Sequence, residues 1–418
     1  MAHQETGTGG APEEQLHLGT HAPKLIRLGL AAAVLGLGLG IGLWQSGRAS
    51  TADFLHAWLV AVTYFLSISI GALFFVQVQH LTRAGWSAGI RRPAEILGAS
   101  TPVMALFLLP VLGNALLRRP DIFGWAAPDA GLHDPLLAKK LAFLNPSFLA
   151  ARTLLYFLVW AFFSAFFLRR SRAQDRDGDW QHSYTMQWVA APSLALFALA
   201  VSFFAFDYLM SLESTFYSTV YGIYFFAGCA MSFFATVALS LMWLQARGIL
   251  GKSVTTEHYH DIGKFLFGFV FFWSYIAFSQ YMLIWYGNIP EETQWFLRRS
   301  QGPWLGVSVA LLVGHTLLPF PGLLSRHVKR SRFGLAFWAT WLLLVQYLDL
   351  YWLIMPSNAM PGTDGEHLLP PHFGPLEVSL WLGMGGVYVL QLALRARHLA
   401  LRPLKDPRLA EALAFENV

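Results

Sequence analysis

Between Glu257 and Thr293 the chain reads EHYHDIGKFLFGFVFFWSYIAFSQYMLIWYGNIPEET, an aromatic-rich apolar run with a titratable cluster at each end. Glu257, His258, His260, Asp261 and Lys264 precede the run, and Glu291 and Glu292 follow it. Ionisable groups are costly beside hydrocarbon, so this concentration points to protons or a redox-active lipid. The competing reading is ordinary polar anchoring of a helix at an interface. His260 and Lys264 stand four apart and share a face of any helix that begins before Ile262. His258 and His260 have a metal-like spacing, but no third firm ligand accompanies them.

Six titratable positions, Lys264 again among them, interrupt apolar runs: His56, Arg152, Asp207, Lys264, His315 and Asp349. His315 lies deepest, about twelve residues into its run, or roughly 18 Å at helical rise. An imidazole at that depth could relay protons, hydrogen-bond a quinone carbonyl or ligate haem iron. It could equally be a neutral ring bonded to a neighbouring helix. Haem b calls for two facing histidines, whereas His56 and His80 occupy opposite ends of one run and neither pairs with His315. Asp207 and Asp349 fall near the outer ends of their runs, where Arg152 could neutralise one of them in a buried ion pair. The functional alternative is an outer proton exit formed by these two aspartates with His56, Arg152, Glu213, Tyr281, Glu291 and Glu292. The aromatic wall from Phe265 to Tyr286 suits a quinone ring and tail, and suits lipid and helix packing as well.

These groups need elements that cross a bilayer. Hydrophobic residues make up 55% of the chain and charged residues 13%, about half the charge of an average soluble domain. Apolar stretches of roughly 20 residues predict an all-α, polytopic membrane protein of about ten spans. Their expected limits are Leu25–Trp44, Phe54–Gln79, Ala94–Leu117, Ser147–Leu168, Gln187–Met210, Ser218–Gln245, Ile262–Trp285, Trp304–Phe320, Gly334–Ile354 and Leu376–Leu394. A tail over 1–24 and a second over 400–418 flank a transmembrane domain over 25–399. The first span, rich in Gly and Leu, reads as a peripheral helix; its signal-peptide character is outweighed by a long acidic leader without a clean cleavage site. The single cysteine, Cys229, excludes an internal disulfide, an iron–sulfur cluster and c-type haem, and reads as a small core residue. The net charge of +5 carries no implication of nucleic-acid binding in such a protein.

Lys and Arg divide unequally between the two sides. Lys24, Arg27, Arg83, Arg91, Arg92, Arg169, Arg170, Arg172, Arg176, Arg247, Lys252, Arg326, Lys329, Arg330 and Arg332 share the side of the termini, with five more in the tail. The positive-inside rule therefore places both termini in the cytoplasm. The longer outer connections, Arg118–Pro146 and Pro356–Pro375, have the length of loops that cover a site or meet a partner. Asp207-Tyr208-Leu209, Gln280-Tyr281-Met282 and Gln346-Tyr347-Leu348 echo one another at outer span ends, which suggests repeated bundles or simply an aromatic belt.

The run EHYHDIGKFLFGFVFFWSYIAFSQYMLIWYGNIPEETQWFLRR, with FDYLMSLESTFYSTVYGIYFFAG and LLVGHTLLPF, resembles the quinone-binding membrane subunits of alternative complex III. That complex is a bacterial quinol:cytochrome c oxidoreductase. The likeness spans about Phe54 to Leu394 and implies a ten-span protein of the polysulfide-reductase (NrfD-like) superfamily built around four-helix bundles. It also implies residence in the bacterial inner membrane and no covalently bound cofactor, with menaquinone or ubiquinone as the lipid substrate. The partners implied are a related NrfD-like membrane subunit, a periplasmic iron–sulfur subunit and haem c subunits, in addition to lipid. Two other classes compete: a structural anchor for redox subunits, and a secondary transporter. A transporter should carry paired Gly/Pro interruptions at midplane, and here Gly and Pro lie mostly at span ends.

Overall fold

A computed structural model describes residues 14–132, 134–358 and 370–416. Among them are ten helices long and apolar enough to cross a membrane, so the chain is a multi-pass helical membrane protein. They are α1 His21–Gln45, α2 Thr51–Leu81, α3 Arg91–Leu116, α4 Pro146–Asp177, α5 Gln181–Leu212, α6 Tyr221–Gln245, α7 Thr256–Gly287, α8 Trp304–Leu324, α9 Arg332–Ser357 and α10 Pro375–Ala396.

Local chemistry sets where each span begins and ends. Ser50 accepts from the Asp53 amide at 3.0 Å while Asp53 accepts from the Ser50 amide, a reciprocal cap that starts α2. Asn145 caps α4, whose first residue is Pro146, and Gly178 ends it in the left-handed region at φ 76°. Asn288 does the same for α7. Two predicted limits need correction. The third span begins at Arg91 and is split into Arg91–Gly98 and Thr101–Leu116, because Pro102 has no N–H to continue the first piece. The eighth runs beyond Phe320 to Leu324 and is not uniformly α-helical.

The spans group into two bundles, α2–α5 and α6–α9. The core helix α2 belongs to the first bundle and also packs on α6, α9 and α10. At Gly71 a Cβ would sit 2.2 Å from the Cys229 carbonyl, so the missing side chain lets α2 and α6 touch across the bundle boundary. Cys229 is fully buried there, as its reading as a core residue requires. The first helix is peripheral, as expected. It lies against α10, with Gly36 and Gly383 backbones too close to admit a Cβ.

The described parts of the expected tails, residues 14–24 and 400–416, pack into the fold. Helix α1 starts at His21, inside the stretch assigned to the amino-terminal tail. Glu14 pairs with Arg402 at 2.8 Å, the Leu401 amide donates to Leu16 O at 2.7 Å, and Arg91 pairs with Asp406. Leu401, Asp406 and Ala412 are consequently buried, and both described ends of the chain meet on one side of the bundles.

Candidate functional site

The second bundle contains a file of buried polar side chains that runs inward from one surface. At the surface, Glu213 receives Arg299 at 2.7 Å and Arg298 at 3.3 Å. Arg299, 1% exposed, also donates to the carbonyls of Trp352 and Leu353 at 3.1 Å and lies over the Trp295 ring. Tyr221 follows one layer deeper, within electrostatic reach of Arg299, Glu213 and Asp349, and its buried hydroxyl has no hydrogen-bond partner among the described residues. Tyr224, one turn along α6, donates a hydrogen bond to Asp349 of α9.

The file then reaches its deepest member. Trp273 of α7 lies 5.3 Å from the Tyr224 ring and near Asp349, its buried indole nitrogen without a partner at hydrogen-bond geometry among the described residues. On the other side its ring stands 3.8 Å from that of His315. His315 is fully buried, so it faces the protein interior. Gln346 of α9 lies beside it, though neither imidazole nitrogen has a partner at hydrogen-bond geometry among the described residues. Gly228 has no side chain where the Gln346 amide packs, at 2.7 Å from an ideal Cβ.

His315 owes its position to a wide turn. Pro319 cannot donate to the carbonyl four residues back, so Leu318 N bonds to Val313 O instead and Leu312–Leu317 forms a π-helical segment. The Gly314 carbonyl takes the Trp341 indole N–H at 2.8 Å. Such insertions recur at functional positions in helices.

The first bundle holds its aspartate differently. Asp207 accepts both Arg152 Nε and Nη2 at 2.8 Å and the Tyr156 hydroxyl at 2.7 Å. Arg152 is sandwiched by Phe143 at 3.9 Å and Phe148 at 4.2 Å. The expected neutralisation of one aspartate by Arg152 is therefore found at Asp207. No Lys, Arg or His lies within ion-pair distance of Asp349 among the described residues.

The cluster at Glu257–Lys264 divides by role. Helix α7 begins at Thr256, which puts His260 and Lys264 on one face as predicted. His258, one of the titratable cluster, is a capping residue: Nδ1 accepts from the Thr255 amide at 3.2 Å and Nε2 donates to Trp86 O at 3.1 Å. Those partners use both nitrogens of a neutral ring. Glu257 pairs with Arg330 at 2.5 Å, and His260 Nδ1 lies 3.9 Å from Glu257. Asp261 and Lys264 pair with each other and line a groove of about 650 Å³ at the surface of the helices. Its walls include Trp86, Phe226, Phe265 and Phe269.

An apolar interval separates this cluster from His315 along α7. Lys264 and Trp273 are nine residues apart, roughly 13.5 Å along the helix. Stacked phenyl rings fill that interval, with Phe234 against Phe265 at 4.9 Å and against Phe269 at 5.7 Å. The outer assignments also separate. Tyr281 is 46% exposed and packs on Phe296, Glu291 is exposed and Glu292 half-buried, so none of the three reaches Asp349. His56 is buried on α2, bonded through Nδ1 to Ala52 O at 2.8 Å, apart from both aspartates.

A further polar cluster escaped the sequence reading. Arg92 is buried and bridges Glu95 at 2.9 Å, Asp175 at 2.7 Å and Ser171 at 2.9 Å, while Arg91 approaches His80 at 3.4 Å. One available signal was Glu95, an acid inside a span just after two arginines. No protein-family model and no curated protein matches this chain.

Proposed function

We propose that this chain is a cofactor-free membrane subunit of a respiratory quinol:cytochrome c oxidoreductase, in which the second bundle moves protons between one surface and the mid-membrane. The observation that carries this reading is the buried file Glu213–Arg299–Tyr221–Tyr224–Asp349–Trp273–His315. Hydroxyl, carboxyl and imidazole groups can each take and give a proton, and a carboxyl placed away from any cation in an apolar interior has few other reasons to be tolerated. The phenyl layer beneath His315 makes the file a half-channel, which fits proton release or uptake on one side only.

The groove beside Asp261 and Lys264 is the quinone arm of the proposal. An aromatic-walled cleft open to the bilayer accommodates a menaquinone or ubiquinone ring, and the ion pair at its rim offers a donor and an acceptor to the ring oxygens. The sequence likeness to alternative complex III supplies the setting, a bacterial inner membrane with a related NrfD-like subunit, a periplasmic iron–sulfur subunit and haem c subunits, and the Lys/Arg distribution supplies the orientation, both termini cytoplasmic.

The test is to introduce His315→Phe and Asp349→Asn into the assembled complex and to measure quinol oxidation together with proton movement in proteoliposomes. Loss of proton coupling in both variants, with subunit composition unchanged, is the expected result. Full turnover and full coupling in both would reduce the chain to an anchor for its partners.

A further inference from the structure

Helix α4 has 32 residues, roughly 48 Å at helical rise, against a hydrocarbon core of about 30 Å. Its last turns therefore stand among headgroups, and that stretch presents Arg169, Arg170, Arg172 and Arg176, all exposed. Several other arginines of this fold are matched, Arg91, Arg92, Arg152, Arg299, Arg330 and Arg402 each reaching a carboxylate within 3 Å. Among the described residues none of the four on α4 has an acidic partner within ion-pair distance. The nearby acids are engaged elsewhere, Asp175 by Arg92 and Asp177 by His182 at 3.0 Å.

The same face continues into the apolar part of the helix. Leu158, Phe162 and Phe166 project there, and Ala161 and Ala165 between them leave a groove of about 800 Å³ that runs up to the arginines. A second feature lies at the start of α5 and the residue before it. Trp180, Tyr184 and Trp188 are exposed and form a ladder of edge-on rings about 6 Å apart, the arrangement of an interfacial aromatic belt. Arg170 approaches His182 at 3.4 Å, which ties the guanidinium face to that ladder.

We propose that this face binds an anionic phospholipid from the leaflet on the side of the chain termini. Its phosphates lie among the four guanidinium groups, and an acyl chain follows the groove past Phe166 and Phe162. From Arg169 to Arg176 is roughly 10.5 Å along the helix, room for two phosphates, so a diphosphatidyl lipid of the cardiolipin type is the preferred occupant. Unpaired guanidinium groups at headgroup depth supply the charge complementarity, and basic pockets of this kind between or beside spans favour such headgroups.

The experiment uses the full chain, delipidated in detergent, with native mass spectrometry and thermal unfolding as readouts. Tetraoleoyl cardiolipin and dioleoylphosphatidylglycerol should bind and raise the unfolding temperature, while dioleoylphosphatidylcholine and inorganic phosphate should do neither. A triple variant, Arg169→Gln with Arg172→Gln and Arg176→Gln, should bind cardiolipin roughly a hundredfold more weakly, at about fivefold for each charge removed. These side chains are exposed and unpaired, so without lipid the variant should unfold at the wild-type temperature. A control pair at the far side, Arg118→Gln with Arg119→Gln, should bind as wild type. Equal cardiolipin binding by the triple variant overturns the proposal. Equal stabilisation by phosphatidylcholine does so too, and stabilisation by phosphate alone assigns the arginines to a free anion. Wild-type lipid binding combined with loss of a neighbouring subunit from the complex assigns the face to protein docking instead.

Discussion

Each bundle buries one aspartate near the end of its last span, and the two are held in opposite ways. Asp207 of the first bundle sits in a bidentate ion pair with Arg152 and accepts a third bond from Tyr156. Asp349 of the second accepts from the Tyr224 phenol and has the Trp273 indole beside it. A carboxylate fixed by a guanidinium fork is locked in one charge state and one geometry. A carboxyl surrounded by neutral donors is free to exchange a proton with them. The difference separates a group that holds helices together from one that can do chemistry, although both look alike as acids in apolar runs.

The largest expected effect tests the locked site. Arg152→Met leaves Asp207 charged and buried without its partner, which should destabilise the protein by about 3–5 kcal/mol. Thermal unfolding in detergent would register this as a large fall in midpoint or as failure to recover folded protein. Adding Asp207→Asn to the same chain removes the stranded charge and should restore much of the loss. If the double variant is no better than the single one, the pair is not the structural lock described.

Asp349→Asn should behave in the reverse manner. The amide oxygen still accepts from Tyr224 and no cation is abandoned, so stability should change by about 1 kcal/mol or less. Infrared difference spectra in H₂O and D₂O should lose a protonated-carboxyl C=O band that the wild type shows. A loss of stability as large as that of Arg152→Met would erase the contrast between the bundles.

The geometry around His315 gives a finer test. Trp341→Phe keeps the aromatic packing and removes the N–H that holds the Gly314 carbonyl. The expected cost is about 1 kcal/mol for one hydrogen bond with a buried acceptor left open. If the wide turn is what positions His315, this variant should impair proton coupling while leaving the ring itself intact. Unchanged coupling would show that α8 holds His315 without that bond.

The sequence carried the spans because runs of roughly 20 apolar residues have no other stable home, and it carried Asp349, His315 and Arg152 because charge stands out in hydrocarbon. It could not show which aspartate Arg152 would choose, since that depends on the packing of α4 against α5. Tyr221 and Tyr224 were invisible for a different reason, and Trp273 and Gln346 showed only as parts of an aromatic wall and a repeated triplet: neutral hydrogen-bonding side chains in an aromatic-rich chain carry no periodicity of their own. His258 was ambiguous because a cap and a ligand present the same imidazole. The cluster around Arg91, Arg92 and Glu95 was hidden by the positive-inside pattern, which explains any cytoplasmic arginine without asking what it touches. The wide turn was foreshadowed by Pro319 and Pro321 just after His315, two missing donors in the last turns of a span.

The smallest expected effect concerns the segment that joins the two bundles. Lys140, in the connection before α4, donates from Nζ to the carbonyls of Ser214 and Thr215 at 2.8 and 2.9 Å, in the link between α5 and α6. Burial pushes its ammonium below the usual lysine range, and Asp134 and Glu292 pull it partly back. A lysine with a lower pKa folded than unfolded penalises the folded state while it is charged. That penalty is present below the folded pKa and disappears as pH rises towards the unfolded value of about 10.4. Wild-type stability should therefore gain on Lys140→Met as pH is raised through the alkaline range below about 10.4. The group is half-exposed and screened, so the gain should stay well under about 1 kcal/mol. A difference between the two chains that is flat with pH would mean that the lysine serves only as a hydrogen-bond donor between the bundles, with no electrostatic cost to relieve.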